Sequence, residues 1–280
     1  METPETAANL DNVGFGLRGI ELERVPSADG TPIAFERSGS GPSVVILGGG
    51  LNEKAMFARL AEALSERFTV FNYDRRGRGG SGDAQPERWS VEREVEDLAA
   101  VLEAAGGSAS VFANCTGGMI AVRGAAAGLP MANLAMYEPP YGGPRVPEGY
   151  HDELRRLIAA DRRGDAVALF LKVDIGFGEE SIERFREHPV WPSFEAVAPT
   201  VIYDSVISDD STEVPLDLLP RIAVPTLVIG GDDSPEWMLA PCRALAAGIP
   251  RGRFVSMPSE GHLFNQKLGA PLLAEFFTSV

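Results

Sequence analysis

Short continuous apolar runs recur along this chain and are separated by stretches with helical spacing. Ser43-Val44-Val45-Ile46-Leu47, Val111-Phe112, Leu134 to Tyr137 and Thr226 to Ile229 are such runs, and Phe68 to Tyr73 and Arg253 to Met257 read as further strands. Unbroken apolar runs of this length read as strands covered on both faces, as in a parallel sheet. Between them, Lys54 to Glu66 and Val91 to Ala105 read as helices, the second with Val91, Val95, Leu98, Ala99 and Leu102 on one face. Met119 to Ala127 and Pro271 to Thr278 read as two more. Ahead of the first run, Ile20 to Val25 and Pro32 to Glu36 alternate apolar and polar around the Ser27 to Thr31 turn, which predicts a hairpin. Strand and helix in alternation predict an α/β fold built on a mostly parallel sheet.

From Gly142 to Leu216 the pattern changes. Helical spacing appears at Tyr150–Arg163, Asp165–Ile175, Glu179–His188 and Phe194–Ser208, with no buried strand between. The expected organisation is a loose N-terminus over 1–18, an α/β core over 19–141 and 217–280, and a helical insertion over 142–216. Phe170, Phe177, Phe185, Trp191, Phe194 and Tyr203 supply the insertion with its own core, and some are expected to line a pocket. Met136, Tyr141 and Trp191 are the candidate pocket residues.

Composition narrows the function. A chain of 280 residues, 44% hydrophobic, suffices for one large domain with an insertion. The formal net charge of −15 disfavours nucleic acid and anionic membranes. No run reaches the roughly eighteen apolar residues of a membrane span. The opening Met1 to Thr6 is acidic, without the basic region and apolar core of a secretory signal. Two cysteines, Cys115 and Cys242, are expected as free thiols in a reducing cytoplasm. No His/Cys/Asp cluster has ligand spacing, so neither a metal nor an organic cofactor is expected.

The chemistry concentrates at Ala113-Asn114-Cys115-Thr116-Gly117-Gly118, where an apolar strand runs through a small-residue turn into a helix. A nucleophile presented on a sharp strand-to-helix turn needs small neighbours, because the backbone there is strained. The helix N-terminus directs partial positive charge at Cys115 and favours its thiolate. The Thr116 N–H is left to receive an oxyanion. The competing reading makes Cys115 a small buried hydrophobe at a strand–helix junction. Gly48-Gly49-Gly50-Leu51 follows the first buried strand, and Gly50 or Leu51 is placed to give a second oxyanion N–H. Asp74-Arg75-Arg76-Gly77-Arg78-Gly79-Gly80-Ser81-Gly82 is a charged glycine-rich loop, read as a locally bonded connection with anion binding as the alternative.

The order of buried strand, glycine loop, D-R-R-G-x-G-x-S-G loop and N-C-x-G-G elbow resembles the α/β-hydrolase superfamily over nearly all of residues 20–280, with Cys115 where Ser is usual and Ala113 where Gly is usual. The resemblance implies an α/β-hydrolase fold, with residues 142–216 as its helical cap. It implies that His262, after Gly261 and between the last strand and last helix, is the general base. Of the three histidines, His151 and His188 are then expected at the surface. Two acids compete for the third place: Glu138, at the end of the Leu134 to Tyr137 strand, and Asp233, in the Gly230-Gly231-Asp232-Asp233 loop. The expected activity is hydrolysis of a small, apolar ester, thioester or lactone through an acyl thioester. Acyl transfer or ring closure in a biosynthetic pathway, and non-catalytic ligand binding, are the alternatives.

Overall fold

The computed structural model describes residues 21–143, 145–210, 212–258 and 262–279. The expected loose segment 1–18 therefore lies outside the described residues, as does Gly261. Eight strands form one sheet: β1 (Leu22–Pro26), β2 (Pro32–Gly39), β3 (Ser43–Leu47), β4 (Thr69–Tyr73), β5 (Ala109–Asn114), β6 (Met131–Tyr137), β7 (Thr226–Gly231) and β8 (Gly252–Met257). Their spatial order is β1-β2-β4-β3-β5-β6-β7-β8. The first two pairings are antiparallel and the rest parallel. This is the α/β-hydrolase fold that the resemblance implied, on the mostly parallel sheet that the residue pattern predicted.

The sheet is covered on both faces. On one lie α2 (Val91–Ala104), α3 (Thr116–Ala126) and α9 (Glu236–Gly248), packed on Val45, Leu47, Val111, Ala113 and Met136. On the other lie α1 (Ala58–Ser65) and α10 (Gln266–Thr278), packed on Val44, Ile46, Phe112, Ala135 and Tyr137. Successive residues of the inner strands β3 to β7 serve opposite cores, which is why their runs carry little alternation.

Between β6 and β7 the chain inserts α4 (Tyr150–Ala159), α5 (Arg163–Val173), α6 (Glu179–Glu187), α7 (Trp191–Val197) and α8 (Val201–Asp210). They close on an apolar cluster of their own, in which Leu154, Val167, Phe170, Val197 and Val201 are buried. The helix expected over Phe194–Ser208 is divided into α7, a 3₁₀ turn at Ala198–Thr200 and α8. Pro199 lacks the N–H that would carry one helix through. The helix expected from Lys54 likewise opens as a 3₁₀ turn, and α1 begins at Ala58. Helix α9 follows the Asp232-Asp233 turn and runs through Pro241. No described helix is long and apolar enough to cross a membrane.

Candidate active site

The carboxyl ends of the parallel strands carry the site, as open α/β sheets require. Cys115 ends β5 and caps α3 with φ 52° and ψ −127°, a strained backbone for a residue with a Cβ. The turn holds because its neighbours interlock. A Cβ on Gly117 would lie 2.7 Å from the Gly48 carbonyl oxygen, and one on Gly49 would lie 2.5 Å from the Cys115 Cβ. Leu51 and Glu138 also have positive φ, 56° and 43°. Among the described residues, three of the four non-glycine positions with positive φ thus lie at the elbow, the glycine loop and the end of β6, and the fourth is Asp161 in the insertion.

Glu138 is wholly buried and accepts two hydrogen bonds. Its Oε1 takes the Gly231 N–H at 2.7 Å, and its Oε2 lies 2.7 Å from His262 Nδ1. The other side of the imidazole meets the Cys115 thiol in a side-chain hydrogen bond. Tyr137 stacks beside the His262 ring with centroids 6.2 Å apart. Burial alone would depress the His262 pKa, but its interactions with Cys115 and with the Glu138 carboxylate outweigh it and push the value up to about 10. Cys115 and Glu138 thus both favour the protonated form of the imidazole between them.

Of the two competing acids, Glu138 is the one against the imidazole. Asp233 sits in the exposed turn between β7 and α9. The reason is register: β6 and β7 run side by side with Tyr137 opposite Ile229, so Glu138 emerges under the β7 loop rather than beside it.

Gly50 and Leu51 line the pocket with Cys115, and Gly49 N–H is taken by Asn52 Oδ1 at 3.1 Å. Among the described residues, the Gly50, Leu51 and Thr116 N–H groups meet no acceptor. The Thr116 side chain turns away from the pocket and donates to Asp204 Oδ1 at 2.6 Å.

The pocket over Cys115 is apolar. Phe170, Phe185 and Phe194 of the inserted helices and Phe177 of the α5–α6 connection line it with Phe57 and Phe264 of the core. Met136, Tyr141 and Trp191 are not in its wall. Met136 points into the core beneath the sheet and Tyr141 packs on the same side. Trp191 is buried in the insertion with Arg186 5.0 Å over its ring. Period-two alternation puts Met136 on the α2/α3 face, below the strand ends that floor the pocket. Tyr203 stacks on Trp89 at 4.5 Å and donates to Asp83 at 2.6 Å, away from the site. His151 and His188 are half-buried rather than fully exposed; His151 Nε2 lies 3.0 Å from Ser205 Oγ.

The charged loop is a bonded connection. Arg75 and Arg76 are buried against Glu94 and Asp97 of α2. Asp74 takes Lys54 Nζ at 2.9 Å and the Gly80 N–H at 2.9 Å. With its arginines turned inward and paired, the loop offers no anion site on the pocket side. The buried acids were legible in principle: Glu94, Asp97, Leu98 and Val101 share one helical face. Asp204, which pairs with Arg75 and Arg78 of the same loop, left no such trace.

The fold and elbow define the class, and comparison with known proteins agrees. The alpha/beta hydrolase family model matches residues 44–271. The chain belongs to that family. A zearalenone hydrolase of Cladophialophora bantiana is 26% identical over 210 residues, covering 71% of this chain and 78% of that protein. The crystal structure of an alpha/beta hydrolase from Sphaerobacter thermophilus is 46% identical, with a TM-score of 0.86 over 91% of this chain and 100% of that one. A thermophilic esterase from Thermogutta terrifontis shares the fold, with a TM-score of 0.68 at 24% identity over 91% of this chain and 96% of that one.

Proposed function

We propose that this chain hydrolyses a neutral, apolar ester, thioester or lactone through an acyl thioester on Cys115. One observation carries the reading: Cys115, His262 and buried Glu138 form one hydrogen-bonded chain beneath a pocket edged by unbonded N–H groups. His262 takes the thiol proton, and Glu138 fixes the tautomer and favours the imidazolium. The thiolate adds to the carbonyl carbon, and the oxygen becomes an oxyanion held by Thr116 N–H with Gly50 or Leu51 N–H. Collapse of the adduct breaks the bond to the leaving oxygen or sulfur, which takes the proton from His262. Water, deprotonated by the same imidazole, then releases the acid and restores the thiol.

The pocket sets the substrate class. Among its described lining residues, Cys115 and His262 are the ionisable ones, and the rest are chiefly aromatic and aliphatic. Nothing there balances a charged acyl group, whose desolvation would be costly. The zearalenone hydrolase and esterase among its relatives accord with this chemistry.

The test is mass spectrometry of enzyme quenched during turnover of p-nitrophenyl butyrate and of an aryl lactone. The expected result is an acyl adduct on the Cys115 peptide, with free acid as product. Turnover surviving in Cys115→Ala, with no adduct in wild type, would overturn the proposal. Acyl groups appearing on an added alcohol or thiol instead of water would move it to acyl transfer.

A further inference from the structure

The charged loop and one residue of the insertion meet directly behind the elbow. Asp204, on α8, is fully buried. Its Oδ1 accepts the Thr116 hydroxyl at 2.6 Å and also takes Arg75 Nη1. Its Oδ2 accepts from Arg78 Nη2. Arg75 is held from its other edge by both Glu94 oxygens, at 2.8 and 2.6 Å. Arg78 donates through Nη1 to the Gly49 carbonyl at 2.6 Å and to the Asn52 carbonyl at 3.3 Å, and through Nε to Thr200 Oγ1 at 2.9 Å. Two guanidinium groups and two carboxylates thus form a compensated buried cluster. Burial works to raise the Asp204 pKa, but Arg75 and Arg78 prevail and keep it below the usual carboxylate range.

A cluster of this kind is a weak source of stability, because desolvation consumes much of its attraction. Its bonds end in two informative places. One is the side chain of Thr116, whose N–H is the first after Cys115. The other is the Gly49 carbonyl, which belongs to the same peptide unit as the Gly50 N–H. In a trans peptide the C=O and N–H point in opposite directions. Arg78 draws the carbonyl back into the protein, so the Gly50 N–H is turned toward the pocket that Gly50 and Cys115 line. A charged donor on the carbonyl also polarises that N–H. Asp204 balances Arg78 and fixes Thr116, so one carboxylate reaches both sides of the candidate oxyanion pocket. A Cβ built on Gly50 would lie only 3.5 Å from the Asp204 carboxyl carbon.

We infer that Asp204 and Arg78 are positioning residues that assemble the oxyanion pocket from Gly50 N–H and Thr116 N–H, and that seating of the inserted helices is a condition for catalysis. The inference rests on the acyl-thioester reading above. It selects Gly50 over Leu51 as the second donor. It also gives the inserted helices a part in the chemistry beyond shaping the pocket.

Three variants separate this role from plain folding. Asp204→Asn keeps the shape and removes the charge. Thr116→Val removes the hydroxyl link without leaving an unbalanced charge, and Thr116→Ser returns the hydroxyl. Each is measured for p-nitrophenyl butyrate turnover and for iodoacetamide alkylation of Cys115, a displacement at carbon that forms no oxyanion. Misplacement of an oxyanion donor should lower kcat by about 10- to 100-fold, with KM within about threefold. Alkylation should stay within about twofold of wild type, since it uses the Cys115–His262 pair alone. Thr116→Ser should recover most of what Thr116→Val loses. Parallel loss of alkylation and turnover in Asp204→Asn and Thr116→Val would reduce the cluster to a fold anchor and overturn the inference, as would unchanged kcat in both. Wild-type Cys115 that resists alkylation, with turnover surviving Cys115→Ala, would fell the nucleophile reading itself, and this inference with it.

Discussion

Replacing Glu138 by Gln tests the proton arrangement of the site most directly. The substitution preserves volume, and a Gln oxygen can still accept the Gly231 N–H that Glu138 takes at 2.7 Å. What changes is the group facing His262 Nδ1, now an amide NH₂ in place of a carboxylate oxygen at 2.7 Å. An NH₂ group there needs an acceptor, so the imidazole must move its proton to the nitrogen facing Cys115 and lose its function as base. The energy at stake can be bounded. Raising the His262 pKa from 6.5 to about 10 is worth about 5 kcal/mol at roughly 1.4 kcal/mol per pH unit. Cys115 carries the larger favourable share and Glu138 the remainder, both opposed by burial. The expected loss in kcat is about 10²- to 10⁴-fold, as when the acid that fixes a catalytic histidine tautomer is removed. The assay is kcat against pH for p-nitrophenyl butyrate, alongside iodoacetamide alkylation of Cys115 at pH 6 and pH 8. Glu138→Gln should slow both, whereas Asp233→Asn, in its exposed turn, should stay within about threefold of wild type. A Glu138→Gln enzyme with a wild-type profile beside a crippled Asp233→Asn enzyme would refute the reasoning and transfer the acid to the β7 loop.

Two further outcomes follow from the same geometry. Gly49→Ala should destabilise the protein by about 1–3 kcal/mol in urea unfolding, because a Cβ there falls 2.5 Å from Cys115 Cβ and 2.7 Å from the Asn114 carbonyl oxygen. Turnover should fall with it, since relief comes only by parting the glycine loop from the elbow. The His262 pKa is raised on folding, so the stability it contributes is complete below about pH 6.5 and is lost as pH rises through about 10. Wild type should therefore exceed His262→Gln in Tm at pH 6 and lose that advantage by pH 10.5; a constant difference across that range would contradict the assigned proton.

The sequence by itself determined the sheet and the chemistry-bearing turns. Six predicted strands, from Ser43–Leu47 to Arg253–Met257, became the parallel part of the sheet, the inner ones as apolar runs because a strand buried on both faces can carry little else. The small residues of Ala113 to Gly118 betrayed the elbow because no larger side chain fits beside a strained Cys115. Glu138 was legible as an acid at the end of a buried strand, where a buried charge needs a reason, and His262 through the resemblance to the superfamily. That Glu138 rather than Asp233 lies against His262 follows only from the register of β6 against β7, a contact between segments some ninety residues apart. The pocket wall was likewise hidden: Phe170 and Phe185 face Cys115, whereas Trp191 and Met136 serve cores, and no local pattern separates the two fates. Asp204 was the least legible of all. On its helix it is one acid among several, and its meaning comes from Arg75, Arg78 and Thr116, which the fold brings to it from distant positions in the chain. Local pattern records what a residue does to its own strand or helix. Pairing across elements is fixed by the total free energy of packing, and there the tertiary structure alone decides.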